Sequence, residues 1–213
     1  NRTEFLTQTW IEINNIWENQ IKENFEYDVN NNKTMYTTQN WDKKSSTWLN
    51  STKYNYKFDA RNNLIELTRS GWDIFKKRWI FFDKELFTFN INNKKSEYLR
   101  QKSFNDSVWT NDYKISYEYD LINNETYQLR SQWNINISVW ENRGRSYSFY
   151  DSINNLKEKI DQSWDTFNND WENSLKFNYT YNSQNKVIEQ IVQMWNSLNL
   201  RWENYYKESN EYN

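Results

Sequence analysis

The sequence predicts an all-β protein: an antiparallel meander of about seven tandem 31-residue β-hairpins, about fourteen strands in all. Such a meander forms an elongated or coiling sheet, of β-solenoid or shell-like type. Three observations carry this expectation. Tryptophan recurs at one spacing along the whole chain, the residues between alternate with a period of two, and one turn signature closes each unit.

Composition narrows the class first. Aromatic residues make up 19% of the 213 residues and 13 are Trp, yet there are 36 Asn, two Gly (Gly71 and Gly144) and no Pro, Cys or His. Disordered chains are poor in aromatics and rich in Pro and Gly, so disorder is not expected. No apolar run reaches the roughly 18 residues of a membrane helix, and membrane insertion is not expected. The net charge is −2, and no basic stripe marks a nucleic-acid partner. Without His or Cys the chain lacks the commonest metal ligands, general base and thiolate nucleophile. No cofactor, metal or catalytic residue is therefore expected, and the chain does not read as an enzyme.

The repeat fixes the elements. The second Trp of each pair falls at Trp17, Trp48, Trp79, Trp109, Trp140, Trp171 and Trp202, in steps of 31 residues with a single step of 30. The first members are Trp10, Trp41, Trp72, Phe104, Trp133, Trp164 and Trp195, so every Trp of the chain sits in one of two slots. From Trp171, every second residue is Trp171, Asn173, Leu175, Phe177, Tyr179 and Tyr181, against Glu172, Ser174, Lys176, Asn178 and Thr180. Alternation of this kind is a half-buried strand, here with one aromatic face along its full length. The return segment alternates as well, as in Val187, Glu189, Ile191, Gln193, Trp195. Each unit is therefore two strands of about ten residues.

Parity assigns the turns. A separation of seven between paired Trp is odd, as direct cross-strand pairing around a two- or four-residue loop requires. The shorter step from Phe104 to Trp109 loses two residues and keeps both aromatics on one face. The other turn reads Tyr-Asp-x-x-Asn-Asn, as in residues 27–32, where same-face residues are an even number apart. That spacing predicts a three-residue loop with a bulge and one left-handed residue. Asn31, Asn62, Asn93, Asn123, Asn154 and Asn185 occupy the left-handed place, since Asn tolerates that conformation best after Gly.

The turn resembles the Tyr-Asp-x-x-Gly-Asn motif of Rhs/YD-repeat proteins. The whole unit, as in residues 41–67, is similar to Trp-rich YD-like repeats of Bacteroidetes surface and secreted proteins. The resemblance covers the entire chain and departs at the Gly position, where Asn stands, and at Asn90 and Asn182, which replace the motif's Asp. It implies β-hairpins laid side by side in a coiling strip of sheet, which in Rhs toxins becomes a shell around a cargo. The hairpins are expected at about 1–28, 32–59, 63–90, 94–120, 124–151, 155–182 and 186–213, as a single array without internal linker. Both ends fall in phase with the repeat, and the chain reads as a window of a longer array. Any signal peptide would lie outside it.

Candidate sites follow from the repeat. The aromatic ladder Trp10/Trp17, Trp41/Trp48, Trp72/Trp79, Phe104/Trp109, Trp133/Trp140, Trp164/Trp171 and Trp195/Trp202 reads foremost as core, since cross-strand aromatic pairs contribute about 0.2–1 kcal/mol each. Flat aromatics beside Asn and Glu also suit sugar rings. Glu66, Glu97, Glu158 and Glu189 recur on the Trp face and are expected to reach a Lys, Arg or Tyr hydroxyl; nothing specifies the paired carboxyls of a glycosidase. The turns lack the spaced carboxylates of known calcium loops. Ser107 and Ser152 lie in Asp-Ser-apolar triplets resembling a Bacteroidetes O-glycosylation motif. The expected function is a structural or adhesive module of a secreted or cell-surface bacterial protein. Its partners would be further repeats of the same chain or identical chains. The alternatives are a multivalent carbohydrate-binding array and the wall of an Rhs-like toxin capsule.

Overall fold

A computed structural model describes residues 1–106 and 108–212. Its strands are β1 (Glu4–Ile11), β2 (Ile16–Tyr27), β3 (Lys33–Asp42), β4 (Thr47–Phe58), β5 (Leu64–Asp73), β6 (Arg78–Phe89), β7 (Lys95–Phe104), β8 (Val108–Tyr119), β9 (Glu125–Asn134), β10 (Val139–Tyr150), β11 (Leu156–Asp165), β12 (Asp170–Tyr181), β13 (Val187–Asn196) and β14 (Arg201–Ser209). The strand order follows the sequence from β1 to β14, giving one open antiparallel meander. The fold class is thus the one the periodicity predicts.

The chain divides into two compact units, Asn1–Thr88 with Tyr98–Asp112, and Phe89–Glu97 with Tyr113–Asn213. In the first, Trp41 pairs Trp48 and Trp72 pairs Trp79 across four-residue tips. In the second, Trp133 pairs Trp140, Trp164 pairs Trp171 and Trp195 pairs Trp202 in the same way.

One expectation is corrected by the register. The second strand of a hairpin carries an extra residue shortly after its Trp. Asn50 pairs Gln39 and Thr52 pairs Thr38, which leaves Ser51 unmatched. The same bulge falls at Gln20, Phe82, Arg143, Ser174 and Tyr205. Because side chains alternate with a period of two, one inserted residue exchanges the faces beyond it. Phe177, Tyr179 and Tyr181 therefore lie on the face opposite Trp171, not on its side. The sheet has a tryptophan face at the hairpin tips and a tyrosine and phenylalanine face along the hairpin bodies. On the latter, Phe25 stacks on Tyr36 at 5.2 Å and Tyr36 meets Tyr54 at 5.5 Å. Burial, reinforced by the Glu23 carboxylate that accepts the Tyr36 hydroxyl, pushes Tyr36 up to about 12.

A second extra residue follows five of the six turns at the other ends of the hairpins, on the return strand, at Thr34, Ile65, Thr126, Lys157 and Ile188. It restores the phase before the next Trp.

Burial among the described residues stays shallow. Val192 is the only buried hydrophobic side chain among the described residues. The other enclosed side chains are small or polar: Thr68, Ser70, Asp83, Ser131 and Ser146. Gly71 belongs with them. A Cβ there would lie 2.3 Å from Cζ of Phe82, so the bulged Phe82 lays its ring over a position that only glycine leaves open.

Candidate binding clefts at the hairpin tips

Pairing between neighbouring hairpins stops at the bulge. It begins at Ile21 with Asn40, Thr52 with Gly71, Tyr113 with Gln132, Gly144 with Ser163 and Leu175 with Met194. Outward of those pairs, the backbone ladder of these tips runs only within each hairpin, and side chains cross the gap, as where Lys76 and Arg78 both reach Asp106 at 3.0 Å. The tips carry the tryptophans as T-shaped pairs, with ring centroids 4.9–5.2 Å apart and planes at 60–74°. Trp10 and Trp17 are 40% and 62% exposed, and the other described Trp are half-buried. At the short turn, Asn105 and Asp106 both have positive φ, as a two-residue hairpin loop requires. There Phe104 is exposed, while Trp109 meets Phe81 at 5.5 Å.

A column of cations, which the sequence reading missed, ties five of the tips to the hairpin before them. Five residues after the second Trp stand Lys22, Lys53, Lys84, Lys114, Arg145, Lys176 and Lys207. Simple alternation places an odd offset on the opposite face, but the bulge returns these residues to the Trp face. Lys22 lies over Trp48 at 5.3 Å, Lys53 over Trp79 at 5.8 Å, Lys84 over Trp109 at 4.2 Å, Lys114 over Trp140 at 4.8 Å and Arg145 over Trp171 at 4.5 Å. The glutamates of the Trp face take up part of this charge. Lys176 reaches Glu158 at 2.7 Å and Lys207 pairs with Glu189, while Glu66 takes Lys57, outside the column, at 3.0 Å. An amide pair two residues from the Trp recurs beside them, with Gln8, Gln39, Gln162 and Gln193 donating to Asn19, Asn50, Asn173 and Asn204 at 2.8–3.0 Å.

The opposite ends of the hairpins carry the Asp-Asn turns. Asn31, Asn62, Asn93, Asn123, Asn154 and Asn185 have φ between 58° and 70°. The backbone N–H of Asn31 donates to Asp28 O, closing the turn. Asp28 Oδ1 accepts from the N–H groups of Asn30 and Asn32, and Oδ2 accepts from Asn32 Nδ2. Asp59, Asp120 and Asp151 repeat the set with Asn63, Asn124 and Asn155. Asn90 and Asn182 make only the two backbone bonds, and four residues on stand Lys94 and Lys186 instead of Asn. The two positions change together because the third bond needs a second carboxylate oxygen facing an amide.

The left-handed Asn also has a use that Gly lacks. Asn62 Oδ1 accepts from Asn32 Nδ2 at 2.9 Å and Asn185 Oδ1 from Asn155 Nδ2 at 3.2 Å, linking successive turns, whereas Asn123 Oδ1 is buried without a hydrogen-bond partner. Asn123→Gly is therefore expected to stabilise slightly, Asn62→Gly to be neutral or worse, and Asn123→Val to cost about 1–3 kcal/mol through left-handed strain. Urea midpoints of the three variants check the order; equal midpoints for Asn123→Gly and Asn123→Val would remove the turn assignment.

The Asn32 side chain holds Asp28 below the ordinary carboxylate range, and Asn63 does the same for Asp59. Partial burial opposes the shift at Asp120, where the Asn124 amides outweigh it; at Asp151 the Asn155 backbone N–H leads. A depressed native pKa contributes stability above the unfolded value of about 3.9 and loses it as pH falls through the native value. On acidification toward pH 2, amide shifts at Asn30, Asn32, Arg61 and Asn63 are expected to move, while those at Asn92, Lys94, Gln184 and Lys186 follow no local titration. Equal movement at both sets would show that the carboxylate is not the titrating partner.

Ser152 lies exposed in the loop of the Asp151 turn, and Ser107 lies outside the described residues. Between the tips of the last two hairpins runs a cleft of about 410 Å³, lined by Asp165, Asn168, Asp170, Trp171, Glu172, Asn173, Trp195, Ser197 and Leu200.

The sequence matches no family model and no curated protein. Three solved structures are similar to parts or most of the chain. A DUF3836 family protein from Parabacteroides distasonis is 17% identical, over 46% of this chain and 90% of its own, with a TM-score of 0.38. A chain of the Photorhabdus luminescens Tc holotoxin pore is 11% identical, over 83% of this chain and 12% of its own, with a TM-score of 0.38. A porin-like protein from Bacteroides uniformis is 10% identical, over 88% of each chain, with a TM-score of 0.37. At these values nothing about the role of this chain follows from them.

Proposed function

We propose that this chain is a structural repeat module of a secreted or cell-surface bacterial protein, in which each hairpin forms the template on which the next is laid. The observation that carries the reading is the hand-off between units. The same residue types pass the same contacts forward: a cation from one hairpin body to the next tip, and a turn amide from one Asn to the next. In such an array, stability is approximately a sum of unit and nearest-neighbour terms, so units are interchangeable parts. Further repeats, or identical chains, are the natural partners of a surface built this way. The resemblance to YD-repeat arrays points in the same direction, toward a scaffold or the wall of a shell.

Interchangeability is the property to test. Replacing residues 155–185 by a copy of residues 32–62 keeps length and phase, and is expected to leave a folded chain with a melting midpoint changed by only a few degrees. A chain that no longer folds would show that the units are individually specified. Antibody against the protein should label intact cells or culture medium of the source bacterium; recovery only from the cytosol would overturn the location.

A further inference from the structure

The cleft between the tips of the last two hairpins departs from the repeat, and the departures are those of a ligand site. We propose that it binds a neutral saccharide lodged between the two tips, against Trp171, Trp195 and Asn173 on the tryptophan face and with Glu172 reaching it from the opposite face.

Glu172 is the first sign. Its counterparts one unit before and one unit after are satisfied within their own hairpins. Glu141 accepts from Asn134 Nδ2 at 2.5 Å and from Arg143 Nη2 at 3.2 Å. Glu203 accepts from Asn196 Nδ2 and from Arg201 Nε, both at 3.0 Å. At the first tip, Lys43 Nζ lies 2.5 Å from Glu18. Around Glu172 each of those donors is replaced. Asp165 stands for Asn134 and Asn196, Asp170 for Arg201, and Ser174 for Arg143. Asp165 spends its oxygens on its own tip, accepting from the N–H groups of Phe167 and Asn168 and from Asn168 Nδ2. Glu172 is thereby left without a hydrogen bond or ion pair among the described residues, at the wall of a cleft.

The second sign is what lines the rest of the cleft. Asn173 uses its Oδ1 to accept from Gln162, which leaves its Nδ2 as a donor, and Ser197 adds a hydroxyl. Two indoles complete the lining, and inter-hairpin pairing begins only at Leu175 with Met194, so this stretch of the gap stays open. A volume of about 410 Å³ lies within the range of about 300–1,000 Å³ usual for small-molecule sites. Apolar ring surface and an amide donor on one side of the gap, with a carboxylate acceptor on the other, complement a pyranose, whose C–H face is apolar and whose hydroxyls both donate and accept. The lining carries Asp165, Asp170 and Glu172 and no cation, which disfavours an acidic sugar. This site is separate from the scaffold reading, which stands whether or not the cleft binds.

The test is a titration of the whole chain with maltotetraose, cellotetraose, mannotetraose and chitotetraose, followed through the indole N–H signals of its 13 Trp. At least one sugar is expected to shift Trp171 and Trp195 saturably and to leave Trp41 and Trp48 in place. Glu172→Gln, at an exposed position that bonds nothing within the fold, should weaken that binding about tenfold, the loss of roughly one charge-assisted hydrogen bond. Glu203→Gln should leave it unchanged. Trp195→Ala should abolish the shift at Trp171, with the Trp133 and Trp140 signals reporting that the hairpin two units before it still folds. The proposal is overturned if no sugar gives a saturable shift, if all Trp pairs shift alike, or if Glu172→Gln binds as the parent does.

Discussion

Asp83→Ala is expected to destabilise the unit formed by residues 1–88 and 98–112 by about 3 kcal/mol, the usual result of removing one partner from an enclosed charge pair. Asp83 is 7% exposed and stands on β6 between two guanidinium groups. Arg69 Nε on β5 donates to Oδ1 at 2.6 Å, and Arg100 Nη2 on β7 donates to Oδ2 at 2.7 Å. Glu85 also binds Arg69, and Asp112 lies 2.9 Å from Lys102 and 3.8 Å from Arg100. The cluster balances three cations with three carboxylates. Without Asp83, two arginines face each other across β6 with nothing between them. Burial pushes the Asp83 carboxyl up, but the two arginines outweigh it and hold it below the ordinary value. Its contribution is therefore complete above pH of about 4 and is lost as pH falls through the native pKa. The gap between parent and variant in urea midpoint should narrow on acidification from pH 7 to pH 3. A gap that is already absent at pH 7 would show that the cluster is solvated and contributes nothing.

The charge cluster also marks where repetition stops guiding a reader of the sequence. At the Asp83 position the other described units carry Ile21, Thr52, Tyr113, Gly144, Leu175 and Tyr206, so no column of like residues points to it. What repetition encodes well is topology, because register and turn geometry impose the same demand on every unit. Asn31 and its five counterparts recur because the backbone at each needs a positive φ, and Trp41 and Trp48 recur because they meet across a four-residue tip. Repetition misleads about faces. Counting every second residue from Trp171 to Tyr181 treats Ser174 as an ordinary rung, and a bulge has no obligatory residue type to betray it. The invariant basic column was the legible clue. Seven cations at an odd distance from Trp make sense only if something between them shifts the phase. The cleft at Glu172 lies further from view, since it depends on three replacements whose meaning appears only beside the bonds they abolish.

Trp48→Ala is the second large effect expected, about 2 kcal/mol, below the 3–5 kcal/mol of a fully enclosed tryptophan because Trp48 is half-buried. Two contacts are lost along with the area. The T-shaped pair with Trp41, at 5.1 Å and 64°, is worth about 0.5–1.5 kcal/mol beyond burial. Lys22, which lies over the ring from the preceding hairpin, adds about 0.5–1 kcal/mol at a partly exposed site. The two terms separate in a double-mutant cycle. Lys22→Met keeps the apolar stem and removes the charge, together with its ion pair to Glu4, and that pair is untouched by Trp48→Ala. A coupling of about 0.5–1 kcal/mol between Lys22 and Trp48 is therefore assignable to the ring contact. Trp48→Phe should recover part of the loss, since a smaller ring still meets Trp41. If the coupling is zero, the cation column is a consequence of the register and does not link one hairpin to the next. If it is present, destabilising one tip loosens the hairpin before it, and hydrogen exchange should rise in β2 as well as in β4. That spread, one unit toward the N-terminus, distinguishes a chain of coupled hairpins from a row of independent ones.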